Sequence, residues 1–170
     1  MDTLCFAAFT GNEEENRSVF LEMLSAYFDE ICADKPEDNI PKQYLPRILD
    51  TIIDETKKYE LWAYMCVLGA EKIGFCIFQI DTKENPLCKR EGWGFIREFY
   101  IASAYRREGY ATRMCTMAEN VLREKGAEDI YLTANAKTGE PFWRAMGYVY
   151  AGGCDDKNGN KIYEKRCVTQ

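Results

Sequence analysis

The sequence predicts an α/β protein of the mixed kind, with a sheet of six to seven strands flanked by about four helices, in one domain over residues 1–170. Three observations predict it. Apolar positions alternate between helical spacing and β-branched or aromatic runs, in the order β, α, α, β, β, β, α, β, α, β, β. That order, with one crossover helix, argues a mixed sheet flanked by helices. A chain of 170 residues, 46% of them hydrophobic, is long enough to bury one sizeable core.

Leu4 to Phe9 reads as the first strand, broken by Thr10-Gly11-Asn12. Glu13, Glu14 and Glu15 suit the positive end of a helix, and Val19, Phe20, Met23, Leu24, Tyr27, Phe28 and Ile31 form its apolar face. A polar turn from Asp34 to Asn39 leads to a second helix from about Pro41 to Lys58, with Pro46 leaving its start open. Leu61 to Leu68 and Ile73 to Ile80 read as a hairpin across Gly69-Ala70-Glu71-Lys72, followed by a polar loop to Gly92. A strand containing Ile96, Phe99 and Ile101 then feeds a helix that starts near Gly109 and stops at Gly126. Ile130 to Thr133 is a short strand, and Gly139 to Met146 a short helix with Pro141 in its first turn. Gly147-Tyr148-Val149-Tyr150 begins another strand, and a loop from Gly152 to Asn160 and a strand from Lys161 to Val168 complete the order.

Composition narrows the chemistry. There is no histidine, which removes the commonest metal ligand, the commonest general base and any Cys-His or Ser-His nucleophile. The eight cysteines are scattered without a C-x-x-C pair, so they read as buried reduced thiols, with neither metal nor disulfides expected. No apolar run reaches the length of a membrane span, and no basic-then-apolar leader opens the sequence, so a cytoplasmic protein without membrane partners is expected. The net charge is −6, and its acidic excess lies within residues 1–60, which keeps helix faces solvated and can attract a cationic partner. Nucleic acid is not expected, because the basic residues gather at one turn.

That turn is Arg106-Arg107-Glu108-Gly109-Tyr110-Ala111-Thr112, directly after a strand and opening an amphipathic helix. The first N–H groups of a helix lack intrahelical acceptors and carry partial positive charge, so this place can hold phosphate oxygens. Gly109 lets main chain approach an anion, and Arg106 and Arg107 add full charges. No Gly-Lys-Ser/Thr ends the turn, so it is not a Walker loop. It also lacks the three glycines of a dinucleotide fingerprint.

Arg-x-x-Gly-x-Ala at Arg106, Gly109 and Ala111 resembles the pyrophosphate signature of the GNAT superfamily, the acyl-CoA-dependent N-acyltransferases. A second stretch, Asn135 with Gly139-Glu140-Pro141-Phe142-Trp143-Arg144-Ala145-Met146-Gly147-Tyr148, is similar to the family segment ending the fifth strand and forming the next short helix. The order of elements looks like that fold over essentially the whole chain. The resemblance implies direct transfer of an acetyl group from acetyl-CoA to a primary amine, without an acyl-enzyme. It implies pantetheine against the backbone of Phe99, Tyr100 and Ile101, and pyrophosphate on the amides of Arg107, Glu108, Gly109, Tyr110, Ala111 and Thr112, beside Arg106. Asn135 and Phe142 join the cofactor-binding set, although a strand-end turn and core packing are their simpler roles. Glu98 stands where several relatives carry a base acting through water, or else pairs with Arg97 or Arg90. Trp143 departs from the tyrosine that protonates the thiolate in many relatives. An indole cannot do so, which leaves Tyr148, Tyr150, Tyr100 or water as proton source and Trp143 as a pocket wall. Relatives build acceptor sites from regions that here hold Glu37, Asp38, Asp155 and Asp156, which implies a cationic small-molecule or peptide amine. Two alternatives are a non-catalytic CoA-binding module and a structural interaction domain. A monomer and a homodimer are both compatible.

Overall fold

β1 (Leu4–Ala8) is followed by α1 (Glu14–Ile31) and α2 (Leu45–Lys58). These lead to the hairpin of β2 (Leu61–Leu68) and β3 (Glu71–Ile80), and then to β4 (Gly94–Ile101) and α3 (Tyr110–Glu124). β5 (Asp129–Ala134), α4 (Glu140–Ala145), β6 (Val149–Cys154) and β7 (Lys161–Arg166) complete a computed structural model that describes residues 2–85 and 87–167. The seven strands form one mixed sheet in the order β1-β2-β3-β4-β5-β7-β6. β4 and β5 are parallel, from Gly94↔Ile130 to Ile96↔Leu132, while β1 with β2, β5 with β7 and β6 with β7 run antiparallel. The α/β fold with four α-helices is therefore as the sequence predicts.

Two boundaries move for physical reasons. α2 begins at Leu45 because Pro46 has no N–H to give and fits only the first turn; Lys42–Tyr44 before it is a separate 3-10 turn. β6 runs on through Gly152 and Gly153 to Cys154, with a register shift between Tyr150 and Cys154 and Gly152 at φ +88°, so glycines expected in a loop form an irregular strand. β7 ends at Arg166; Cys167 follows it outside the strand, and Val168, the expected end, lies outside the described residues.

Contacts divide the chain into two compact units, Met1–Ile77 with Glu98–Met114, and Phe78–Arg97 with Cys115–Gln170. In the first unit, alternate β2 residues Leu61, Ala63 and Met65 are buried, as are Phe20, Met23 and Leu24 of α1 and Leu49, Ile52 and Ile53 of α2. Phe20 stacks on Phe9 at 4.4 Å and lies 4.8 Å from Phe75, joining the helical and sheet layers of this core.

The second unit is built around buried polar groups as well as apolar ones. Phe95 stacks on Tyr131 at 4.6 Å. Asp81, 1% exposed, accepts from Tyr131 Oη at 2.6 Å, Gln79 Nε2 at 2.8 Å, and the N–H groups of Lys89 and Arg90 at 2.9 and 3.0 Å. One carboxylate thereby fixes the start of the loop after β3. Glu119 of α3, 3% exposed, accepts from Lys165 Nζ at 2.9 and 3.0 Å, Tyr148 Oη at 3.0 Å and Arg123 at 3.1 Å. A buried carboxylate is tolerated when donors surround it in this way. All eight cysteines are free, but only Cys66, Cys76 and Cys115 are buried, so the expectation of buried thiols holds for three of them.

Candidate active site

Between β4 and α3 the chain makes a 3-10 turn at Ser103–Tyr105 and then places Arg107 at φ +67° and Gly109 at φ +82°. Arg107 is the one non-glycine in the left-handed region among the described residues. Left-handed backbone on a non-glycine costs about 1–2 kcal/mol, and such strain gathers at functional turns. Left-handed residues alternating with ordinary ones turn successive N–H groups toward one side, which makes a concave anion nest. Arg113 N donates to Gly109 O at 3.2 Å as the helix begins, so the N–H groups of the first turn have no acceptor inside α3. A Cβ built on Gly109 meets nothing within 4 Å, so the space beside the turn is open.

Arg106 is held differently from its neighbour. Its Nε donates to the Ile101 carbonyl at 2.7 Å, its Nη2 to Glu30 of α1 at 2.6 Å, and its guanidinium lies 5.7 Å from the Tyr100 ring. The side chain straps the turn to β4 and to α1. Tyr100 is 7% exposed, and burial, reinforced by Glu30, pushes its hydroxyl pKa up.

Glu98 is half-buried on β4 and accepts a 2.5 Å hydrogen bond from Tyr27 Oη of α1. Strand alternation puts Glu98 and Tyr100 on one face, and Tyr27 stands edge-on to Tyr100 at 6.1 Å and to Phe75 at 5.7 Å. Burial first, and then the Glu98 charge, hold the Tyr27 hydroxyl well above its ordinary pKa, so it stays a donor. Of the cations considered as partners for Glu98, Arg90 pairs with Glu164 at 2.7 Å, and Arg97 Nη1 donates to Gln79 at 3.3 Å.

In the second unit Trp143 is 7% exposed and meets Phe142 and Tyr148 edge-on at 4.8 and 5.4 Å, which suits a wall and gives it no acid. Tyr148 is 2% exposed with its hydroxyl on Glu119, and burial foremost pushes its pKa far up, so it is removed as a proton source. Tyr150 is 47% exposed and lies 6.0 Å from Tyr163. Asn135 Oδ1 accepts from the N–H groups of Lys137 and Thr138 at 3.0 and 3.3 Å, and its carbonyl accepts from Gly139 and Glu140 at 3.0 Å. That is the turn role; what Asn135 can still offer a ligand is its Nδ2 donor.

Asp155, expected on the acceptor side, is engaged within the fold. It is 9% exposed, pairs with Lys89, and accepts from Lys157 and Asn158 N–H at 2.8 and 3.3 Å. Burial alone would raise its pKa, but the Lys89 ammonium and these N–H groups outweigh burial and hold it below the usual value. Glu37, Asp38 and Asp156 are exposed. Sequence reasoning missed Tyr27, Glu30 and Lys89 as site or anchor residues. Tyr27 and Glu30 stand three apart on a helix and hence on one face, but Tyr27 read as core and Glu30 as solvated charge. Among the described residues no group of three or more His, Cys, Asp or Glu could hold a metal ion, and no helix is long and apolar enough to cross a membrane.

Residues 20–148 match the acetyltransferase (GNAT) family, and the chain belongs to that family. Among solved structures it is similar to the PaiA N-acetyltransferase of Thermoplasma acidophilum in complex with coenzyme A, with TM-score 0.70, 13% identity, and coverage of 96% of this chain and 99% of that one. An acetyltransferase of Thermus thermophilus gives TM-score 0.71 at 18% identity, covering 96% and 97%. A GNAT family acetyltransferase of Brucella melitensis in complex with acetyl-CoA gives 0.63 at 12%, covering 99% and 90%. These likenesses show the fold. No curated protein matches the sequence.

Proposed function

We propose that residues 1–170 act as one acetyl-CoA-dependent N-acetyltransferase domain that passes the acetyl group directly to a primary amine of a small cationic molecule or peptide. The observation that carries this reading is the β4–α3 turn, where left-handed Arg107 and Gly109 open a nest of N–H groups at the start of α3. A pyrophosphate is the anion such a nest suits, and structural neighbours that hold coenzyme A or acetyl-CoA support the choice. The amides of Arg107 to Thr112 hold the phosphates, with the Arg107 charge beside them. Backbone of Phe99, Tyr100 and Ile101, beyond the registered β4–β5 pairs, holds the pantetheine arm as an added strand would be held. Asn135 contributes its Nδ2 donor, while Phe142 and Trp143 give apolar surface that keeps water from the thioester.

Acetyl-CoA supplies an activated acyl carbon. The amine nitrogen forms its bond to that carbon, the carbon–sulfur bond breaks, and coenzyme A leaves as thiolate. Glu98, held by Tyr27, takes the amine proton through a water. Trp143 has no proton to give and Tyr148 is locked on Glu119, so the thiolate takes its proton from Tyr150, Tyr100 or water. The exposed carboxylates of Glu37, Asp38 and Asp156 attract the cationic acceptor. A second reading, a non-catalytic CoA-binding module, is favoured by the same lack of a usable tyrosine hydroxyl at these two positions.

Thiol release from acetyl-CoA, measured across spermidine, an aminosugar antibiotic, lysine and a peptide with a free α-amine, separates the readings. Amine-dependent, saturable release supports transfer. Acetyl-CoA binding by calorimetry with no amine-dependent release supports the binding module.

A further inference from the structure

The last turn of α1 holds two acids, Asp29 and Glu30, and no basic residue, although its carbonyl groups give that end of a helix partial negative charge. Each acid has a partner outside the helix. Asp29 accepts from Asn39 Nδ2 at 2.7 Å, close by in the chain. Glu30 accepts from Arg106 Nη2 at 2.6 Å, 76 positions away and one residue before left-handed Arg107. We infer that Glu30 is a positioning residue: by fixing the Arg106 guanidinium from α1 it holds the β4–α3 turn in the conformation that receives phosphate, and so raises the affinity for acetyl-CoA through Arg106 rather than by contact. Its effect on affinity rests on the reading of that turn as a pyrophosphate nest.

A guanidinium is planar, so bonds from two of its nitrogens fix its orientation. Nε donates to the Ile101 carbonyl at the end of β4 at 2.7 Å and Nη2 to Glu30, while Cζ lies 5.7 Å from the Tyr100 ring. The Arg106 main chain is held as well, its N–H donating to the Ser103 carbonyl at 3.3 Å. Arg107 then stands at φ +67° and Gly109 at φ +82°. Left-handed backbone on a non-glycine persists only where its surroundings hold it. On the far side α3 does so, with Arg113 N–H on the Gly109 carbonyl at 3.2 Å; on the near side Arg106 is the pinned point. The Glu30 and Arg106 side chains are 40% and 41% exposed, so solvent screens the pair and its effect is a few-fold one.

The sign of the effect separates positioning from charge. Taking a carboxylate away from the neighbourhood of an anion site favours the anion by Coulomb's law, so charge alone would make Glu30→Ala bind acetyl-CoA more tightly. Positioning predicts the reverse: affinity about threefold weaker in Glu30→Ala, and less weakened in Glu30→Gln, whose amide oxygen still accepts from Arg106. Glu22→Ala removes an equal charge from an exposed position about two turns earlier on α1, and its affinity is expected to be unchanged or slightly tighter. Calorimetric titration of the full-length proteins at low salt gives the constants, and circular dichroism verifies that each variant is folded. Without ligand, hydrogen exchange over residues 102–113 is expected to be several-fold faster in Glu30→Ala, with exchange in β1 and β2 unchanged. Affinity equal or tighter in Glu30→Ala overturns the inference, as does unchanged exchange in the turn. A wild-type protein that does not bind acetyl-CoA removes the nest reading of the preceding section, and the exchange result then still supports or overturns Glu30 as the residue that holds the turn.

Discussion

Gly109 has room for a side chain and no comfortable backbone for one: nothing lies within 4 Å of its Cβ position, while its φ is +82°. Gly109→Val should therefore cost about 1–2 kcal/mol of stability through backbone strain, and should also place methyl groups where phosphate oxygens approach the N–H nest. Calorimetric titration is expected to show acetyl-CoA affinity at least tenfold weaker in a protein that remains folded. Arg107 predicts a different pairing of effects. Arg107→Gly relieves its left-handed strain, so the melting temperature should hold or rise while affinity falls with the lost charge. At Trp143, Phe retains most of the edge-on packing against Phe142 and Tyr148, whereas Ala empties a buried site and costs about 3–5 kcal/mol. Steady-state rates should be largely kept by Trp143→Phe and lost by Trp143→Ala; equal damage would assign the indole N–H a role beyond packing. The turn at Gly109 was legible as a strand-to-helix turn because its residues are consecutive in the sequence. The Tyr27–Glu98 contact was not, since its partners lie 71 positions apart and only the fold brings them together.

The hairpin of β6 and β7 places two neighbouring acids in different surroundings. Asp155 is buried on Lys89 and the turn's N–H groups, while Asp156 beside it is exposed. Asp155→Asn should lower stability by about 1 kcal/mol, a figure kept small because Lys89 is 34% exposed, and should leave the amine KM unchanged. Asp156→Asn should do the reverse. The pH dependence has a definite sign. A carboxyl whose folded pKa is depressed contributes stability that is fully present above its unfolded value, about 3.9, and is lost as pH falls through the lower folded value. Thermal melts below pH 4 should therefore fall more steeply for the wild-type protein than for Asp155→Asn. Sequence periodicity gave the elements around this hairpin but not its length, because Gly152 and Gly153 read as loop and instead carry an irregular strand. The start of α2 was open for a similar reason. Pro46 permits a first turn and forbids an interior, but does not say which residue before it begins the helix.

Over the whole chain the acidic excess lies in residues 1–60, although the net charge is only −6. If that field gathers a cationic acceptor, the amine KM should rise as salt screens it, with kcat little changed. A KM independent of salt would remove the electrostatic part of the account. The fold was legible throughout because the order of elements and the two motifs point to one architecture, and the family match over residues 20–148 agrees with it. The acceptor was not, since the exposed carboxylates Glu37, Asp38 and Asp156 carry charge but no local pattern that selects one amine. The central claim is that this chain transfers acetyl groups as well as holding their carrier. The most direct measurement is the stoichiometry of acetylated amine, by mass spectrometry, against coenzyme A thiol released, for wild-type protein and Glu98→Gln. The account predicts one acetyl group gained by the amine per thiol released, with the rate reduced at least tenfold in the variant. Acetyl-CoA bound by the wild-type protein with no acetylated amine above the uncatalysed background would contradict it.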